Sequence, residues 1–409
     1  MYKEKVSIID SGCGSGKSSW AIKYMNKNKD KKFLYVTPYL KEVDRILDDC
    51  EGFVTPTGYH KGFDLEKLIN KGLNIATTHK LLHLISTDTV TKIKNSGYEL
   101  ILDEIIDVIS EEKLKKNDKT ALLKLGILKE EEGILLFDKK SSNINKYDGS
   151  EWAYRNIVNG LKRNSVEITG NKILIFLFPI DIFQAFDKIF LLTYMFDGYP
   201  MSPYFKMNNI EYKKYSAYYN TEINEFDIKE FEDLNNINIK KLITVFDDEK
   251  INSIGDYKSS FTNYWFERKI TEDEILRLRK NIMNVLRHKV KCTVKDVMWT
   301  CFKRDIRSIL NIYTKETNFV SHNIRATNDY SKKKVVVYLV SRNYNPIQKR
   351  WFKSKGITVN EDMFALGEMI QFIFRSRIRN NEEIFLYVPS KRMRGLFNNW
   401  LNDKLPIIK

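Results

Sequence analysis

Asp10-Ser11-Gly12-Cys13-Gly14-Ser15-Gly16-Lys17-Ser18-Ser19 stands directly behind the apolar run Val6 to Ile9 and directly ahead of Trp20-Ala21-Ile22. That order reads as strand, glycine loop, helix. Gly12, Gly14 and Gly16 give the backbone access to positive φ, which turns amides inward so that a phosphate can sit at the N-terminus of the next helix. Lys17 is spaced to reach β- and γ-phosphates, and Ser18 to ligate Mg²⁺. The strict pattern opens with a glycine where this chain has Ser11, a residue small enough to keep the turn. A flexible surface loop would have no use for Gly-Lys-Ser between a buried strand and a helix. Nucleotide binding by Gly12 through Ser19 is the expectation.

Outward from this loop, the composition sets the scale. The chain has 409 residues, 43% of them hydrophobic, which suits two domains better than one. Lys and Arg number 68 against 53 Asp and Glu, a formal charge of +15, with an isoelectric point near 9.3. A polyanionic partner is favoured, nucleic acid first, although charge by itself serves solubility equally well. Cys13, Cys50, Cys292 and Cys301 show neither a disulfide framework nor zinc spacing. The start is too polar for a signal peptide, and apolar runs such as Ile173 to Ile180 are too short to span a bilayer. A soluble cytoplasmic protein without a membrane partner is expected.

Phe33 to Val36 reads as a second strand ending in Thr37-Pro38, and Asn74 to Lys80 repeats the arrangement with Thr77, Thr78 and His79. Ligands of open α/β sheets bind at such carboxyl ends, so these residues are candidate contacts for a nucleic-acid backbone. Taken singly, Thr37-Pro38 reads more simply as a strand stop, and His79 more often as a structural histidine. Tyr98 to Ile106 is a buried-looking strand closing on two adjacent carboxylates, Asp103 and Glu104, a costly pairing without a metal or a base role. Asp103 suits Mg²⁺, and Glu104 suits a water attacking the γ-phosphate. Lys172 to Phe178 and Lys188 to Leu192 read as further strands of the same sheet, the latter running into Thr193-Tyr194, with an insert around Asn143 to Ser150 ahead of them. The whole is a RecA-like α/β lobe over residues 1–210.

Residues 211–409 read as a second such lobe. Ile210 to Phe246 is rich in tyrosine and reads as a strand or hairpin with aromatic cross-strand pairs rather than as a base-stacking surface. Glu272 to Lys289 has helical periodicity. Asp296 to Lys303 reads as a strand whose end offers Thr300 and Lys303, and Ser321 to Tyr330 as a polar contact segment with Arg325, Thr327 and Asn328. Asp362 to Arg379 has a helical pattern. On a continuous helix Arg375 would lie about 40° and Arg379 about 80° from Gln371, one face carrying all three.

The order of these motifs resembles the superfamily 2 DEAD/DEAH helicases and translocases, in particular those encoded by tailed phages. The glycine loop resembles motif I, Thr37-Pro38 Ia, Thr77-Thr78-His79 Ic, Asp103-Glu104-Ile105-Ile106 II, Leu192-Thr193-Tyr194 III, Asp296 to Lys303 IV, and Gln371 to Arg379 VI. Arg325-Ala326-Thr327-Asn328 and Asn345-Pro346-Ile347 resemble phage helicase segments. The resemblance implies two tandem RecA-like P-loop lobes with a nucleotide cleft between them, and ATP with Mg²⁺ held by Ser18 and Asp103. It implies catalysis by Glu104, Arg375, Arg379 and Gln371, on single-stranded or forked nucleic acid, DNA ahead of RNA, with replication proteins as candidate partners. Two alternatives stay open: an ATPase that clamps, loads or remodels without unwinding, and a P-loop nucleoside or polynucleotide kinase.

Overall fold

The computed structural model of the chain describes residues 4–146, 154–232, 237–323 and 329–407. Two parallel sheets organise them. The larger has eight strands in the order Glu225–Glu230, Lys213–Asn220, Val6–Asp10, Lys188–Thr193, Tyr98–Asp103, Lys32–Thr37, Asn74–Thr78 and Phe53–Val54. Only Glu225–Glu230 runs antiparallel to its neighbour. Val6–Asp10 is buried throughout, as a strand covered on both faces must be. Alternation splits the central strands between two cores. Ile8, Leu34, Leu100 and Leu191 face one, with helices Lys61–Asn70 and Thr87–Ser96. Ile9, Tyr35, Ile101 and Leu192 face the other, with Trp20, Ala21 and Met25 of the loop's own helix, Lys17–Lys27.

The smaller sheet orders Ile243–Val245, Ile384–Tyr387, Val335–Tyr338 and Val297–Thr300, all parallel. Its faces pack on helices Glu361–Ile373 and Lys391–Leu401 on one side and Asn263–Arg268 and Glu272–Asn284 on the other. Thr271 and Glu274 form a capping box that fixes the start of the last of these. This is the tandem RecA-like architecture anticipated from the motifs.

Three details differ from the sequence expectation. Lys213–Asn220 pairs with Val6–Asp10, so the hairpin made with Glu225–Glu230 extends the first lobe past residue 210, and the second sheet opens only at Ile243. The aromatic pairing foreseen there is present, with Tyr219 opposite Phe226. Ile173–Leu177 leaves the main sheet and pairs antiparallel with Ile109–Lys113 and Val166–Thr169. An apolar run cannot announce which sheet it joins. With the hairpin Leu128–Glu131/Ile134–Phe137 and a core of Leu122, Leu135, Val158 and Leu174, these strands make an insert far longer than residues 143–150. Thirdly, the helix Glu361–Ile373 stops short of the arginines. The Ser376 hydroxyl donates to the Ile373 carbonyl at 2.6 Å, and the Arg377 amide donates to Lys333 instead of continuing the ladder. Arg377–Asn380 is a separate 3₁₀ turn.

Candidate functional site

Val6–Asp10 ends where its side chains turn from core to loop. The Asp10 carboxylate accepts from the Met195 and Phe196 amides at 2.6 and 3.2 Å and pairs with Lys214 at 3.0 Å. Lys214 also meets Asp197 at 2.6 Å, so one part-buried network fixes the strand end, the Thr193–Gly198 corner and the hairpin. Ser11 proves to have its own task. Its hydroxyl accepts from the Ala217 amide at 2.7 Å, tying the loop to the hairpin strand, which a glycine could not do. Gly14 and Gly16 take φ of 81° and 88°, whereas Gly12 is not among the residues with positive φ, so the conformational need is met at two glycines and not at three. The Lys17 ammonium donates to the Ser11 and Gly12 carbonyls at 2.6 and 2.9 Å.

Tyr98–Asp103 delivers the acidic pair to the same place. Tyr35 donates its hydroxyl to the Asp103 carboxylate at 3.0 Å, and a ring nitrogen of His79 lies 2.9 Å from the Asp103 carbonyl. Burial lifts the Asp103 carboxyl to about 7, with Glu104 pushing the same way and Tyr35 opposing. Glu104 has φ of 65°, a left-handed conformation unusual for this residue, held by its amide donating to Leu192 at 2.9 Å.

A cavity of about 550 Å³ unites these groups across the two lobes. Its walls include Cys13 through Ser19, Thr37, Pro38, Asp103 and Glu104 from the first, and Arg375 and Arg379 from the second. Burial raises the Cys13 thiol, with Glu104 pushing the same way and the Lys17, Arg375 and Arg379 charges opposing. Arg375 is buried. Gln371 does not share the wall: it is buried one turn back and donates to the Tyr199 hydroxyl at 2.8 Å, because the helix ends between it and the arginines. Arg377 points elsewhere, toward the Glu383 carbonyl and Glu382.

A second, larger cavity of about 1730 Å³ lies at the carboxyl ends of Lys32–Thr37 and Asn74–Thr78, lined by Pro38, Thr78 and His79 among others. Pro38 and Glu42 border both cavities. Thr37 and Thr77 are buried, and Thr300 is wholly buried, so its hydroxyl is not offered to any groove, while Lys303 is exposed. Arg325, Thr327 and Asn328 lie outside the described residues. Asn345-Pro346 is a helix start, Asn345 accepting from the Ile347 and Gln348 amides with Pro346 at the first position.

Sequence reasoning missed Tyr35, Lys214 and Phe226, whose ring lines the smaller cavity beside Gly16. It also missed Trp400, whose indole donates to the Tyr194 hydroxyl at 2.9 Å and so ties the motif III segment to the second lobe. Alternation in Phe33 to Val36 was a signal for Tyr35; the other partners are distant in sequence.

Two parallel α/β sheets, with a cavity between them lined by the glycine loop of one and the arginines of the other, define a P-loop protein of helicase-like fold. Residues 237–401 match the family described as the YonV C-terminal Rossmann-like domain. Over 416 aligned residues, covering 98% of this chain and 100% of the relative, the chain is 35% identical to the SPbeta prophage-derived uncharacterized protein YonV of Bacillus subtilis (strain 168). The chain belongs to the YonV family. Among solved structures it is similar to apo XPD, with a TM-score of 0.50 at 12% identity over 98% of this chain and 95% of that one. It also matches Xpd4 of S. tokodaii with a TM-score of 0.48 at 12% identity, over 99% and 96%. At such identity the likeness to apo XPD speaks for the fold. Among the described residues no helix is long and apolar enough to cross a membrane.

Proposed function

We propose that this chain is an ATP- and Mg²⁺-dependent motor on nucleic acid, a superfamily 2 helicase or translocase that works on single-stranded or forked DNA in phage replication or recombination. One observation carries the reading: Lys17 and Ser18 of one lobe share a cavity with Arg375 and Arg379 of the other. A nucleotide there would be touched from both sides, so its hydrolysis would alter how the lobes meet.

The residues present fit ATP with its metal. Gly14 and Gly16 shape a loop at a helix N-terminus, the Ser15 hydroxyl is buried with no hydrogen-bond partner among the described residues, and one hydroxyl and one carboxylate are the donors Mg²⁺ takes beside phosphate and water. Ser18 and Asp103 would hold the ion, which supplies positive charge to the phosphate oxygens. Lys17, now satisfied by its own loop carbonyls, would turn to the β- and γ-phosphates. Glu104 would orient the attacking water from its left-handed backbone position on the cavity wall. Arg375 and Arg379 would offset charge on the transferring phosphoryl group. Prophage origin of the YonV relative and the formal charge of +15 support the setting and the polyanionic partner.

ATP turnover measured in parallel with single-stranded DNA, duplex DNA and RNA tests the reading. Turnover should rise with a single strand, and Lys17→Ala or Arg375→Ala should lower the stimulated rate by about 10³-fold. Unchanged turnover in Lys17→Ala, or a phosphorylated acceptor as product, overturns it.

A further inference from the structure

Apolar side chains too large to be left in water without reason collect in one place. Leu40, Tyr59, Phe63 and Leu84 are all exposed, and all four line the larger cavity. Tyr59 is completely exposed and Phe63 is 62% exposed. Single exposed apolar residues are ordinary, but a cluster lining one groove marks a binding surface. Tyr59 stands just ahead of the helix Lys61–Asn70 and Phe63 in its first turn, so the two rings rise from one short segment. Lys67, one turn on, places its ammonium 4.5 Å from the Phe63 ring centre.

The charges around the rings decide what would cover them. Lys41, Lys61, Lys80 and Arg155 line the groove. Acidic residues on its wall are tied to basic neighbours, Glu66 to Lys92 at 2.6 Å and Glu42 to Arg45 at 3.6 Å. Apolar rings amid cations suit a ligand with flat apolar faces on an anionic chain. A protein partner with an apolar helix would not need the cations, and a duplex keeps its base faces stacked and out of reach.

We infer that Tyr59 and Phe63 form a base-stacking platform for a single strand, with Lys41, Lys61, Lys80 and Arg155 on its phosphates. The inference rests on the nucleic-acid reading above and deepens it. Backbone contacts at strand ends would hold any strand by its phosphates, whereas the two rings make binding depend on the presence of unstacked bases. The groove adjoins the nucleotide cavity through Pro38 and Glu42, and His79 on its wall touches the Asp103 carbonyl, so a strand seated there lies one residue from the acidic pair.

The test compares a fluorescein-labelled oligothymidine of about 20 nucleotides with an abasic phosphodiester of equal length, by anisotropy. The wild-type chain should prefer the intact strand by on the order of tenfold or more, and Tyr59→Ala with Phe63→Ala should erase the preference while leaving the salt dependence and the basal ATP turnover unchanged. Tyr59→Trp should keep it. Tyr59 has no packing to lose, so its single variant remains informative if the double variant folds poorly. Alanine variants that retain the base preference overturn the platform, as does a wild-type chain that binds both polymers equally. Dispersal of a dimer by these variants without loss of base preference would instead make the patch a self-association surface. A wild-type chain that binds neither polymer, and whose turnover no nucleic acid stimulates, removes the motor reading itself.

Discussion

At Gly16 the backbone holds φ of 88°, and a Cβ built there would fall 2.0 Å from the Phe226 ring. Both facts forbid a side chain: the left-handed conformation costs an L-residue about 1–2 kcal/mol, and the ring cannot slide away as a flexible chain end would. Gly16→Ala should therefore weaken ATP binding by about tenfold or more in titration calorimetry, and Phe226→Ala in the same chain should restore part of the loss by clearing the contact but not the torsion. Glu104 presents the opposite case, a non-glycine residue already held in the left-handed region. Glu104→Gln keeps the shape and removes the charge, so kcat should drop by about 10²–10⁴-fold while ATP affinity is retained. Lost ATP binding in that variant would assign Glu104 to holding the nucleotide rather than to the water.

Among the elements, the helix Glu361–Ile373 joins the lobes. Its N-terminal backbone lies so close to Gly198 that an added Cβ would meet the Phe364 nitrogen at 2.7 Å and the Met363 carbonyl carbon at 2.8 Å. Farther along, Gln371 reaches Tyr199, and beyond its end Arg375 enters the cleft. Backbone at such distance cannot yield locally, so Gly198→Val should destabilise the chain by about 1–3 kcal/mol in urea melts. It should also lower stimulated turnover more than it raises the KM for ATP, since the loop itself is untouched. Wild-type stability would show that the lobes can part here freely. A second joint is the helix Pro346–Ser354, which follows the Val335–Tyr338 strand of the second sheet yet buries Trp351 and Phe352 in the first lobe's core, while Asn345 and Gln348 bond Glu111 of the insert. The two lobes and the insert are thus fastened at several points around the cleft.

For the whole molecule, half-buried histidines are one source of acid sensitivity. Burial, helped by the Arg342 and Lys303 charges, lowers His322 to about 4, and burial also lowers His83. A depressed folded value means the neutral ring is the stable one: its contribution is complete above the unfolded value near 6.5 and disappears as pH falls through about 4. Stability should decline over that window, and His322→Gln should reduce the decline by about 2 kcal/mol, read as the urea midpoint near neutrality against one at about pH 4.5. An identical pH profile in the variant would exclude His322 as a source of the decline.

What the sequence determined is local. The loop Gly12 to Ser19, the acidic pair Asp103-Glu104 and the alternation of two parallel sheets were legible because each needs only neighbours in the chain: a turn that tolerates positive φ, a carboxylate at a strand end, apolar residues on both faces of a strand. The arginines were legible by type but not by geometry, since the helix thought to carry them ends at Ile373 when Ser376 takes its carbonyl and Lys333, far back in sequence, takes the next amide. Only the tertiary structure decided that Ile173–Leu177 joins an insert, that Ser11 anchors a hairpin, that Gln371 faces Tyr199, and that the exposed rings of Tyr59 and Phe63 share one groove with Leu40 and Leu84. Each depends on a partner many residues away, and periodicity records which face of an element is buried without recording what buries it.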